Sequence, residues 1–266
     1  MKIVLLAALA ATLVPCTTVS SLAASCSAKS GPQTAALVEL YTSEGCDSCP
    51  PADHWLSGLK DSDAKSGRAV PLAMHVDYWD YIGWHDPYAQ ARFTARQREL
   101  SAINHDHTIY TPQILVAGKD FRPGWFSVGG ESFDEAVARI NLRTAGADIG
   151  LALTGNSGKE LRYEANAKLR NATDMRDAAL YVAIIENNLT SAVAAGENKG
   201  KTLKHDFVVR DWEGPFAFNP DGNLALNRTI AMQSNWKVQD LGVTAFVQNR
   251  STGRVLQALQ LAACHN

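Results

Sequence analysis

The sequence predicts an α/β domain followed by an antiparallel β-sandwich. Three observations carry that expectation. An apolar stretch at 37–41 runs through a turn into a helix beginning near Pro50. A second apolar stretch at 69–76 follows a polar loop, so strand, helix and strand read as a right-handed βαβ unit with a parallel pair. Beyond Gly146 the pattern changes to short alternating runs between Gly- and Asn-rich turns, the pattern of a β-sandwich. The first domain is therefore set at 35–146 and the second at 148–264.

Residues 1–25 read as a secretory signal. Lys2 supplies the charged start, 3–14 are apolar, and small residues precede Cys26. The apolar run is too short to cross a bilayer comfortably. Lipidation of Cys26 is the alternative, with Ala23 a poor fit where leucine is usual, and only then is a membrane a partner. Export places the mature chain in the periplasm or outside the cell, where thiols oxidise.

The chain has five cysteines, of which Cys16 falls in the leader. Cys46 and Cys49 pair with each other. Cys26 and Cys264 lie near the two ends of the mature chain. A terminal clamp is their most economical fate, and two unpaired thiols on loose tails are the alternative. Net charge is -2, so no basic surface points to nucleic acid. Residues 195–202 meet a loose phosphate-loop pattern, but alternation at Leu203, His205, Phe207 and Val209 indicates a strand where that motif needs a helix. A nucleotide is not expected, and no cofactor is implied.

The chemistry concentrates at Cys46-Asp47-Ser48-Cys49. Pro50 and Pro51 follow, where only the first turn of a helix tolerates them. The helix start favours negative charge, so a thiolate at Cys46 is stabilised, while Asp47 works against it. Cys46 is then the attacking sulfur, expected to be exposed, and Cys49 the resolving one.

This turn resembles the active-site turn of the thioredoxin superfamily. Residues 108–118, with Thr111-Pro112, look like that superfamily's Thr–cis-Pro loop leading into a strand. The resemblance implies that the first domain is thioredoxin-like, that Pro112 is cis and faces the cysteines, and that Thr111 docks the partner. It also puts Glu39 near the position of a buried proton acceptor for the second cysteine, one residue out of step. A solvent-facing Glu39 is the alternative. Further blocks sharpen the likeness: 38–46, 75–84, 93–98, 110–113, 196–198 and 205–210. Together they resemble a bacterial exported family catalogued as domain of unknown function 1223, with a thioredoxin-like half. That resemblance implies a fold and no reaction.

Residues 75–86, with His105-Asp106-His107, hold histidines and acids that suit copper or zinc beside a cysteine pair, but at no closed ligand spacing. Trp79 and Trp84 read as domain packing or as a lid. His205 and Asp206 point to opposite faces of a strand, with Arg210 on the side of Asp206 as its ion-pair partner. The expected activity is thiol–disulfide exchange on thiols or disulfides of another exported protein. The competing readings are a periplasmic carrier of metal or protein, with the pair as ligands, and an interaction module with a structural disulfide.

Overall fold

Strand β2 (Ala36–Thr42) is buried along its whole length, on both faces. An apolar stretch with that burial belongs in the middle of a covered sheet. Its neighbour β3 (Ala69–His75) is equally buried and runs parallel to it, from Ala36 opposite Ala69 to Thr42 opposite His75. Helix α1 (Pro50–Gly58) makes the crossover, as the βαβ reading requires. On the other side of β2 lies antiparallel β4 (Gln113–Val116), joined to β5 (Lys119–Phe121) by a two-residue turn. Both turn residues, Ala117 and Gly118, have positive φ, which matches strand twist in a tight hairpin. Gly118 is obligatory, because a Cβ there would meet Gly253 O at 2.3 Å. Helices α2 (Ala91–Ile103) and α3 (Phe133–Asn141) complete this half. Ser132 and Glu135 form the expected capping box on α3.

The structure is a computed structural model and describes residues 25–122, 131–156, 159–174 and 176–264. The leader expected at 1–25 lies outside them, save Ser25. The remaining strands are β1 (Ser25–Lys29), β6 (Ala147–Asn156), β7 (Glu160–Leu169), β8 (Ala178–Glu186), β9 (Leu189–Ala192) and β10 (Thr202–His205). After them come β11 (Val208–Ala217), β12 (Asn223–Ala231), β13 (Leu241–Asn249) and β14 (Val255–Ala262).

The expected fold class, a thioredoxin-like α/β domain and then a separate sandwich, is not what forms. One eight-stranded mixed sheet runs β14-β13-β8-β11-β3-β2-β4-β5 and takes strands from both halves. The join is β11 beside β3, parallel at Val208 opposite Ala73. A four-stranded sheet, β1-β6-β7-β12, packs over one end, and β9 and β10 form a separate ribbon. The physical reason lies in β8, which is buried on both faces. Ala179, Tyr181, Ala183 and Ile185 enter the core beneath β2 and β3, while Leu180, Val182 and Ile184 enter the core under the four-stranded sheet. A strand with two apolar faces needs a layer on each side. The result is a mostly β protein in which the second half shares the sheet of the first.

Two other expectations are corrected. Residues 204–210 are not one strand: Phe207 has φ of 58°, which breaks the run between β10 and β11. Alternation across that break therefore fails, and Arg210 pairs with Glu186 while Asp206 pairs with Lys60 at 2.8 Å. Ser25–Lys29, ahead of the first expected domain, forms β1 and pairs antiparallel with β6. Cys26 on β1 is bonded to Cys264, so the terminal clamp is present. Among the described residues no helix is long and apolar enough to cross a membrane.

Candidate functional site

The site starts at the end of β2. Ser43 turns the chain: its carbonyl accepts from Cys46 N–H at 3.2 Å and its hydroxyl from Gly45 N–H at 3.1 Å. Cys49 is the N-cap of α1, and proline follows at the first helical position. The two cysteines are joined as a disulfide. Ser48 Oγ lies 3.3 Å from Cys46 Sγ. The Thr111–Pro112 peptide bond is cis. Ser48, Tyr110, Thr111, Pro112, Ile114 and Phe121 line a common cleft of about 330 Å³, with Arg122 at its edge. The structure thus places Ser48 of the cysteine turn and the proline loop on one cleft, which neither cysteine lines.

The exposed sulfur is a correction. Cys46 is 1% exposed and Cys49 fully buried, while Asp47 and Ser48 face solvent. Two loops cover the turn. From 77–88, Trp79 Cβ and Ile82 Cδ1 would lie 3.2 and 3.3 Å from a Cβ on Gly45. Trp79 Nε1 donates to Thr111 Oγ1 at 2.7 Å. From 193–201, between β9 and β10, Asn198 Nδ2 donates to the carbonyls of Glu44 and Cys46 at 2.9 and 2.8 Å. Glu197 Oε2 accepts from Asp47 N–H at 3.0 Å. The loops also meet: a Cβ on Gly196 would stand 3.1 Å from Ile82 and 3.3 Å from Trp84. Trp79 and Trp84 therefore act as a cover, and residues 195–202 are part of a hairpin loop.

Glu39 is buried and committed elsewhere. Its Oε1 accepts from Arg96 Nε at 2.6 Å and from the Tyr41 hydroxyl at 3.4 Å. The Arg96 guanidinium stacks on Tyr181, Trp212 and Phe246, 4.9 to 5.1 Å from each ring centroid. Burial opposes its charge, but Glu39 outweighs that and holds Arg96 above its ordinary range.

The acids and histidines near the cysteines are others, which the sequence reading passed over as a group. Glu44, Asp53, His75, Asp86 and His205 are all buried and adjoin one another. His75 Nδ1 pairs with Asp86 Oδ2 at 2.6 Å. Burial lowers the His75 pKa, yet Asp86 more than offsets this and raises it to about 8. For Asp86 burial is opposed by His75 and by the N–H groups of Glu44 and Tyr88, and its carboxyl sits below the usual range. Asp53, on α1 one turn beyond Cys49, is pushed up by burial. His205 Nε2 lies 3.1 Å from Glu44 Oε1, while its Nδ1, without a hydrogen-bond partner, stands 3.9 Å from Asp53 Oδ2. Its ring meets that of His75 edge-on at 5.0 Å between centroids. These five come from three separate stretches of the chain, 44–53, 75–86 and 205. The clue in the sequence is the count of acids and histidines at strand ends, where α/β sheets bind ligands. Among the described residues no group of three or more His, Cys, Asp or Glu has the geometry of a metal site.

Residues 37–248 match the family described as a protein of unknown function, DUF1223. The chain belongs to that family. The DUF1223 match takes in the cysteine turn, the proline loop, both covering loops and all five buried acids and histidines, and leaves out Cys26 and Cys264. No curated protein matches the chain. Two solved structures share the fold. One is a structural-genomics target from Agrobacterium tumefaciens, 23% identical with a TM-score of 0.61, covering 89% of this chain and 98% of that one. The other is HBP35 of Porphyromonas gingivalis, 17% identical with a TM-score of 0.62, covering 88% of this chain and 76% of that one. At these identities the likeness is one of fold.

Proposed function

We propose that this DUF1223 protein exchanges thiols and disulfides with another exported protein, in the periplasm or outside the cell. Cys46 and Cys49 are the catalytic residues, and the cysteine turn with its facing proline loop is of thioredoxin-like descent. The observation that carries the reading is the shared cleft, in which Ser48 of the cysteine turn faces Thr111 and Pro112. An extended partner segment laid along Thr111 would bring its sulfur to Cys46. A partner thiolate attacks Cys46 Sγ, the Cys46–Cys49 bond breaks, and Cys49 leaves as thiolate. The second partner thiolate then attacks the partner's own sulfur in the mixed disulfide and releases Cys46. Two electrons pass from partner to protein, and the reverse sequence returns them. The two disulfides fit an oxidising compartment.

Burial of the bridge favours a second reading, in which Cys46–Cys49 is a structural disulfide on a binding module. Insulin reduction with dithiothreitol, compared with the Cys46→Ser variant, separates the two. Exchange requires the native protein to accelerate insulin precipitation and the variant not to. Equal rates for both leave the binding module.

A further inference from the structure

Glu44 lies two residues before Cys46 and is fully buried. Every polar group it carries is tied to a covering element. Its Oε2 accepts from Trp84 Nε1 at 2.8 Å, and its Oε1 meets His205 Nε2 at 3.1 Å. Its carbonyl accepts from Asn198, and its N–H donates to Asp86 Oδ2 at 2.9 Å. Trp84 and Asp86 belong to the aromatic loop, while Asn198 and His205 belong to the ribbon formed by β9 and β10 and its connecting loop. One side chain therefore grips both halves of the cover. Hydrogen bonds to a charged acceptor are strong in a desolvated site, and removing one partner strands the other. A grip of this kind holds or releases both loops together.

We propose that Glu44 is a positioning residue that latches the two loops over Cys46 and so selects, by size, the thiols that reach the bridge. The proposal rests on the exchange reading, but its test does not need turnover. Reduction of the Cys46–Cys49 bridge is followed by mass mapping with two probes, dithiothreitol and reduced, unfolded ribonuclease. In the native protein the latched cover slows the unfolded polypeptide more than the small thiol, and a protein partner reacts once the latch is displaced. Glu44→Gln keeps the volume and an acceptor for Trp84 but loses the carboxylate. The rate with ribonuclease is expected to rise about tenfold, the worth of one charged hydrogen bond, with a smaller rise for dithiothreitol. An unchanged ratio of the two rates overturns the proposal. Trp84→Phe cuts the same latch from the loop side and serves if Glu44→Gln fails to fold. Near-ultraviolet circular dichroism checks folding of both. A shifted ratio together with no insulin activity in the native protein would sink exchange and leave the latch. Insulin activity with an unshifted ratio would do the reverse.

Discussion

The indole N–H of Trp79 is bonded to Thr111 Oγ1 at 2.7 Å, which fastens the aromatic loop to the residue before the cis-proline. Trp79→Phe keeps a ring in place and removes the donor. Stability should fall by about 1 kcal/mol, the net worth of such a bond. The Cys46–Cys49 bridge should then react faster with dithiothreitol. A rate equal to that of the native protein would show that this bond does not hold the loop closed.

Ser48 Oγ stands 3.3 Å from Cys46 Sγ, in the one part of the turn open to solvent. In the reduced protein its hydroxyl can donate to a Cys46 thiolate and favour the charged form. Ser48→Ala should raise the thiol pKa. The pH dependence of alkylation at Cys46 measures it, and an unmoved titration midpoint would remove Ser48 from the thiolate's surroundings.

His75 contributes a pH dependence with a definite sign. Its folded pKa of about 8 lies above the unfolded value near 6.5. The pairing with Asp86 therefore stabilises fully below about pH 6.5 and is lost as pH rises through about 8. The gap corresponds to roughly 2 kcal/mol. Asp86, held low, adds stability that disappears only as pH falls through its depressed value. Urea unfolding between pH 6 and 9 should show the alkaline loss, and His75→Gln should flatten it. An equal slope in both proteins would assign the loss to another group.

Arg96 and Glu39 are 5% and 0% exposed in their side chains. Arg96→Met should cost about 3–5 kcal/mol, because it leaves a buried carboxylate unpaired. Adding Glu39→Gln should recover much of that cost. A double-mutant cycle by chemical denaturation reads the coupling, and simple additivity would mean that the two charges do not depend on each other.

The Cys26–Cys264 bond spans 238 residues of sequence. In the chain-entropy account such a closure restricts the unfolded chain by about 5 kcal/mol. Cys264→Ser should lower the thermal midpoint while leaving reduction of Cys46–Cys49 unchanged. A midpoint equal to that of the native protein would place the clamp's effect elsewhere.

Much of the local structure could be read from single stretches. The βαβ unit, the capping box at Ser132 and most later strands follow from periodicity and turn residues. What each strand joins could not be read that way. An unbroken apolar run in β8 marks a strand, but the two different cores on its faces depend on residues far away in the chain. The break at Phe207 left no strong local signal, because Leu203 to Val209 alternates through it. The same holds for the site. Adjacent residues displayed the cysteine turn, whereas Glu44, His75 and His205 become neighbours only when β9 and β10 fold back over the turn. The burial of Cys46 follows from that return and was invisible at the level of the motif.

The pairing of β3 with β11 has a consequence for biogenesis. Ala73 emerges from the ribosome long before Val208, and until then the rim of β3 has no hydrogen-bonding neighbour on that side. The chain must cross this interval with an unfinished edge, which is an invitation to pair with other chains. The later strands therefore do more than complete the sheet: their arrival removes the surface through which two unfinished copies could join.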